Sequence, residues 1–103
     1  MTEPTSAIQI RTVTHDASAT LRSTLVAAGL SPAGVDQGGR YWFALARGGI
    51  VGTIGLETAK AHGLLRSLSV PPSHRGAGIA GRLVAHVLDE AARLEHRQHE
   101  RNR

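Results

Sequence analysis

Cysteine is absent from the 103 residues of this chain, and aromatic side chains make up only 3% of it. The absence of thiols excludes a disulfide framework, thiolate metal ligands and a cysteine nucleophile. With so few aromatic residues, the core must be built from Leu, Val, Ile and Ala. No apolar run approaches the roughly 20 residues of a membrane helix, and the first residues do not form a secretory signal. We therefore expect a cytoplasmic protein without a membrane anchor.

Acidic residues are also few: 8 Asp and Glu stand against 12 Lys and Arg, which gives a formal net charge of +4. Much of the excess lies from Arg93 onward. A basic surface can attract an anionic partner, but a charge run without an aromatic stacking platform does not predict nucleic-acid binding. His96 and His99 have no evident third ligand, so the sequence predicts no metal site.

The apolar periodicity predicts the order β-α-β-β-β-α within a single domain, 1–103, with a core over 7–95 and a basic tail over 96–103. Strands are predicted at 7–13, 40–47, 50–56 and 64–70, with a connection at 57–63. The second strand presents Tyr41, Phe43 and Leu45 on one face and Trp42, Ala44 and Ala46 on the other.

Turn and cap residues mark the boundaries of these elements. Asp16 is the predicted N-cap of the first helix, and Gly29 is its predicted C-terminal cap. Leu21, Leu25 and Ala28 lie on one face of this helix. Gly48-Gly49 predicts a two-residue hairpin turn. Pro71-Pro72 ends the fourth strand. A second helix is predicted from Ile79, with one apolar stripe formed by Leu83, Val87, Ala91 and Leu94 and flanked by Val84 and Leu88.

The glycine loop, residues 75–81, is the most informative segment and reads Arg-Gly-Ala-Gly-Ile-Ala-Gly. It lies between a strand and a helix, where backbone amides and the helix dipole together favour a phosphate group. The loop also matches the dinucleotide fingerprint G-x-G-x-x-G, but that motif needs a second strand with an acidic residue, for which the chain has no room. The alternative to a phosphate-binding role is a structural loop at the start of a helix, in which the glycines serve only to turn the chain.

The same residues fit another pattern better. The segment between the fourth strand and the second helix resembles motif A of the GCN5-related N-acetyltransferases (GNAT). The matching pattern is Val70-x-x-x-x-Arg75-x-x-Gly78-x-Ala80. The resemblance covers about residues 8–94. It implies a GNAT-like mixed sheet of α/β (α+β) type and the transfer of an acetyl group from acetyl-CoA to a primary amine of a small molecule, such as an amino-acid analogue.

The resemblance also implies site residues. The cofactor-binding set is Leu68, Ser69, Val70, Arg75, Gly76, Ala77, Gly78, Ile79, Ala80 and Gly81. Glu57 is the candidate general base; the alternative is that it is an exposed carboxylate at the end of a strand. Arg66 is the candidate ligand of an anionic substrate group; the alternative is that it is an arginine in solvent on an edge strand. The runs 64–68, 74–76 and 55–57 further resemble arsenic-resistance N-acetyltransferases, relatives of enzymes that acetylate phosphinothricin-like amino acids.

The segment after Leu94 departs from the family pattern because it contains no apolar residue and cannot form a buried strand. We therefore expect a domain that lacks the C-terminal strands and helix of the family. Such a domain leaves the fourth strand with an open edge, which predicts self-association, for example a homodimer. The alternative function is a non-catalytic acyl-CoA-binding or interaction module.

Overall fold

The computed structural model describes residues 8–36, 39–47, 49–59 and 62–101. The strands are β1 (Gln9–Thr12), β2 (Arg40–Ala46), β3 (Gly49–Ala59) and β4 (His62–Ser69), and the helices are α1 (Ser18–Ala27) and α2 (Ile79–Arg101). Short 3-10 turns occupy His15–Ala17, Ala33–Asp36 and Pro72–His74. The predicted order β-α-β-β-β-α is confirmed. The four strands form one antiparallel sheet in the order β1-β2-β3-β4.

The predicted end of α1 is confirmed in detail, whereas its predicted start is wrong. Gly29 has φ +77°, and the amides of Gly29 and Leu30 donate to the carbonyls of Val26 and Leu25. This is the Schellman arrangement, which glycine adopts without strain. At the other end Asp16 lies inside a 3-10 turn, and the N-cap is Ala17, which makes no side-chain capping bond. The chain instead tightens into the extra turn before the helix begins.

The β2–β3 turn is displaced by one residue from its predicted position, and the β3–β4 connection is shorter than predicted. Ala46 pairs with Gly49, so the β2–β3 turn falls one residue earlier than Gly48-Gly49, and Arg47 takes the positive φ of 52°; Gly48 lies outside the described residues. The predicted connection at 57–63 is wrong, because β3 continues to Ala59 and β4 begins at His62. The strands therefore pair further along than their apolar runs suggest.

The sheet carries one helix on each face. Trp42, Ala44, Val51 and Ile54 lie on the α2 face with Leu83 and Val87, whereas Tyr41 and Phe43 lie on the α1 face with Leu21 and Leu25. The predicted alternation along β2 is thus confirmed. A Cβ added to Gly52 would lie 2.9 Å from Leu83 Cδ1, so this glycine allows α2 to approach the sheet closely.

Helix α2 is longer than its apolar stripe. Ile79, Leu83 and Val87 are buried as predicted, but Leu88 is 56% exposed and belongs to the solvent face. The helix continues to Arg101 through the predicted basic tail, which contains neither proline nor glycine to end it. Among the described residues, no helix has the combination of length and apolarity that crossing a bilayer requires.

Candidate functional site

The glycine loop is a conformationally special segment at the start of α2. Gly76 and Gly78 have φ values of +87° and +80°, which residues with a Cβ rarely adopt. The first α-helical bond runs from the Arg82 amide to the Gly78 carbonyl, so the amides before it have no partner inside the helix. A Cβ added to Gly76, Gly78 or Gly81 would meet no atom within 4 Å. The loop thus exposes backbone to an open space at the positive end of the helix dipole.

The other predicted members of the loop contribute in different ways. Ile79 is buried in the α2-face core and Ala77 packs against that core, so their side chains belong to the hydrophobic core. Arg75 is exposed, and its Nε donates to the carbonyl of Val70 at 3.0 Å. This bond ties the loop to the end of β4 and keeps a cation beside it.

A β-bulge interrupts β4 just before this end. Thr53 pairs with Ser69 and Gly55 pairs with Arg66, so Ser67 and Leu68 together face the single residue Ile54. Ser67 has φ +57°, in the left-handed region. A bulge breaks the regular ladder and redirects the backbone groups around it. Among the described strands, β4 has a neighbour on the β3 side alone, so Leu68 and Ser69 lie at an edge of the sheet.

Glu57 and Arg66 form an ion pair on the α1 face of the sheet. Arg66 Nη1 lies 2.9 Å from Glu57 Oε1, and each side chain is about a third exposed, at 32% and 31%. A Cβ added to Gly34 would lie 2.9 Å from Arg66 Cζ and from Tyr41 Oη. The turn Ala33–Asp36 therefore packs closely against the side chains of Arg66 and Tyr41. The two candidate residues thus contact each other and are both partly buried.

A cavity of about 640 Å³ adjoins the bulge on the same face. It opens between α1, β3, the end of β4 and the glycine loop, and its lining includes Thr20, Ser23, Thr24, Thr53, Ser69 and Arg75. The predicted residues thus divide into a loop group beside the cavity and the Glu57–Arg66 pair, which lies further along β3 and β4. Sequence reasoning missed Thr53, Tyr41 and Gly34 because their roles depend on cross-strand register and on a turn folding back over the sheet.

Comparison with known proteins decides the family. Residues 37–103, more than half of the chain, match the model of the acetyltransferase (GNAT) domain. The chain belongs to the GNAT acetyltransferase family. The match includes β2, β3, β4, the glycine loop and α2, so the GNAT assignment covers the loop and the Glu57–Arg66 pair. No curated protein matches the chain in sequence.

Solved structures share the GNAT fold. An acetyltransferase of the GNAT family from Staphylococcus aureus Mu50 matches with a TM-score of 0.71 and 19% identity, over 86% of this chain and 68% of that one. A predicted acetyltransferase from Clostridium acetobutylicum, solved with acetyl-CoA, matches with a TM-score of 0.65 and 16% identity, over 85% and 75%.

A third match is to part of a larger enzyme. N-acetylglutamate synthase from Neisseria gonorrhoeae, complexed with coenzyme A and L-arginine, has a TM-score of 0.65 and 22% identity, over 87% of this chain and 22% of that one. The chain thus spans about a fifth of the synthase. At these identities the likeness shows the fold, and the bound molecules belong to those proteins.

Proposed function

We propose that this GNAT domain transfers an acetyl group from acetyl-CoA to the primary amine of a small molecule, such as an amino-acid analogue. The observation that carries the proposal is the glycine loop at the start of α2, where two left-handed glycines and open space leave backbone amides accessible to a phosphate. Two GNAT neighbours were solved with coenzyme A or acetyl-CoA, which supports the same cofactor here.

In this proposal the amides of residues 76–81 bind the pyrophosphate of acetyl-CoA, and Arg75 adds a positive charge beside it. The edge of β4 at Leu68–Val70 pairs with the pantetheine arm, much as an added peptide strand would. This places the thioester near the bulge, where amide dipoles polarise its carbonyl. The amine nitrogen then forms a bond to the carbonyl carbon, the carbon–sulfur bond breaks, and the CoA thiolate takes up a proton.

The acceptor lies on the α1 face in this proposal, near the Glu57–Arg66 pair. Glu57 accepts the proton of the amine, directly or through one water, and Arg66 binds an anionic group of the acceptor. The ion pair uses Nη1 of Arg66, whereas a guanidinium carries five N–H donors, so the same side chain can hold Glu57 and a second anion. The resemblance to arsenic-resistance N-acetyltransferases supports an acidic amino-acid analogue as the acceptor.

A thiol-release assay tests this function. Wild-type chain with acetyl-CoA is expected to acetylate phosphinothricin faster than an amine of similar size without an acidic group. Glu57→Gln, which keeps the shape of the side chain, is expected to lower kcat by about 10²-fold because it removes the base. Arg66→Gln is expected to raise KM for the acidic acceptor and leave KM for the neutral amine unchanged. Binding of acetyl-CoA without any thiol release would favour the non-catalytic acyl-CoA-binding module instead.

We further propose that two copies of the chain associate through the edge of β4. Leu64 and Leu65 lie at the end of this edge away from Leu68–Val70 and are 61% and 38% exposed, and no described strand pairs with the edge. An unpaired apolar edge favours pairing with a second strand.

Light scattering of purified protein is expected to report a dimer, which Leu65→Lys converts to a monomer. Val26→Lys is the control, since Val26 is another exposed aliphatic residue, 60% exposed, but lies on α1 away from the edge. A monomeric wild-type protein, or equal effects of the two lysines, would contradict this interface.

A further inference from the structure

The buried hydroxyl of Thr53 is a feature that the proposed function does not use. Thr53 lies in the middle of β3 and is 1% exposed. Its Oγ1 donates to the carbonyl of Ser67 on β4 at 2.8 Å. Burial of a hydroxyl is unfavourable unless it is hydrogen-bonded, so this side chain is committed to that single carbonyl.

The carbonyl belongs to the one β4 residue with a left-handed backbone. Ser67 has φ +57°, a conformation that is unfavourable for a residue with a Cβ and that serine does not adopt without support. A regular strand would pair every residue of β4 with β3, and the bulge gives up one of those pairings. The bond from Thr53 supplies a side-chain partner to the carbonyl of Ser67, a residue without a register partner on β3. Thr53 is β-branched, which restricts the direction of its hydroxyl.

The residues that follow are those assigned to the cofactor. Leu68 and Ser69 come directly after Ser67, so the direction of their backbone groups depends on the backbone angles of Ser67. Thr53 itself pairs with Ser69, and both residues line the cavity of about 640 Å³.

We infer that Thr53 is a positioning residue for acyl transfer: its hydroxyl holds Ser67 in the left-handed conformation and thereby fixes the β4 bulge against which the thioester lies. This inference rests on the proposed function for its catalytic half. The structural half, that the hydroxyl of Thr53 maintains the bulge, stands on the geometry alone. Thr53 touches neither substrate nor cofactor in this account.

The experiment compares Thr53→Val, which keeps the shape and removes the hydroxyl, with Thr53→Ser, which keeps the hydroxyl. Thr53→Val is expected to lower kcat on the order of 10²-fold, because displaced amides no longer meet the carbonyl. KM for acetyl-CoA is expected to rise by a smaller factor, because the glycine loop still binds the pyrophosphate. Thr53→Ser is expected to retain most of kcat.

A second substitution separates backbone conformation from general damage. Ser67→Gly removes the cost of a positive φ, so the double variant Thr53→Val/Ser67→Gly is expected to recover much of the lost kcat. Thermal unfolding of every variant is measured alongside. A loss in Thr53→Val that Ser67→Gly does not restore, or equal losses in Thr53→Val and Thr53→Ser, would overturn the inference.

NMR gives a readout that needs no turnover. In Thr53→Val the three-bond HN–Hα coupling of Ser67 is expected to rise to the value of an extended strand, and the Leu68 amide resonance to shift, with neither change in Thr53→Ser. If wild-type protein releases no thiol but these changes occur, the proposed function fails and the role of Thr53 in the bulge stands. An unchanged Ser67 coupling in Thr53→Val would overturn that role whatever the activity.

Discussion

Replacing Gly78 with aspartate is expected to weaken the binding of coenzyme A by roughly 5- to 30-fold. A carboxylate at the start of α2 places a negative charge where the amides and helix dipole of the glycine loop favour a phosphate, and such charges are worth ~1–2 kcal/mol. Steric clash is not the reason, because a Cβ at Gly78 would meet no atom within 4 Å. Titration calorimetry at low and high salt measures the effect, and added salt should reduce it.

Gly78→Asn is the matched control for this substitution. Asparagine and aspartate have nearly the same shape and tolerate a positive φ such as the +80° of Gly78 to a similar degree, so the backbone strain is shared and the charge is the difference. We expect Gly78→Asn to bind coenzyme A clearly better than Gly78→Asp. Equal binding by wild type and Gly78→Asp would remove the glycine loop from the cofactor site.

The second large effect concerns stability. Leu83→Ala is expected to lower the free energy of unfolding by about 2–5 kcal/mol, since Leu83 is fully buried between α2 and the sheet. Gly52 provides no side chain of its own at this contact, so the cavity left by the truncation cannot be filled from β3 without movement of the helix. For a small domain with a typical total of roughly 5–15 kcal/mol, the loss is a large fraction.

Leu88→Ala on the same helix is the control. Leu88 is 56% exposed, and surface substitutions of this kind change stability by about 0.5 kcal/mol or less. Urea denaturation followed by circular dichroism compares the two variants with wild type. Similar midpoints for Leu83→Ala and Leu88→Ala would mean that α2 does not dock on the sheet through its Leu83 face.

Local patterns predict the elements well and their edges less well. The alternation from Tyr41 to Ala46 and the stripe of Ile79, Leu83 and Val87 are set by which side chains can be buried, and both are readable in the sequence. The end of β3 cannot be read from the sequence, because Glu57 lacks an apolar side chain and its place in the strand is fixed by pairing with Leu64. Asp16 fails as a cap because a 3-10 turn and an N-cap are both compatible with an aspartate before a helix.

The candidate site is predictable where a motif lies within one continuous segment. The seven consecutive residues 75–81 indicate the loop by themselves, because their spacing does not depend on how distant strands pair. Arg66 and Glu57 can be identified one by one, but their contact comes from antiparallel register, which the sequence does not state. Thr53 gives no signal at all, since a threonine in a strand is ordinary and only the bulge opposite makes its hydroxyl significant.

The order β1-β2-β3-β4 means that each strand pairs with the strand next to it in the chain. Two of the three pairings are closed by turns of a few residues, so little chain entropy is lost before the hydrogen bonds form. Proteins in which contacting segments are close in sequence fold faster than those that must join distant ones. The hairpins that contain Thr53, Ser67 and the Glu57–Arg66 pair can therefore assemble early, from residues 40–69 alone, before α2 packs on the Trp42 face of the sheet.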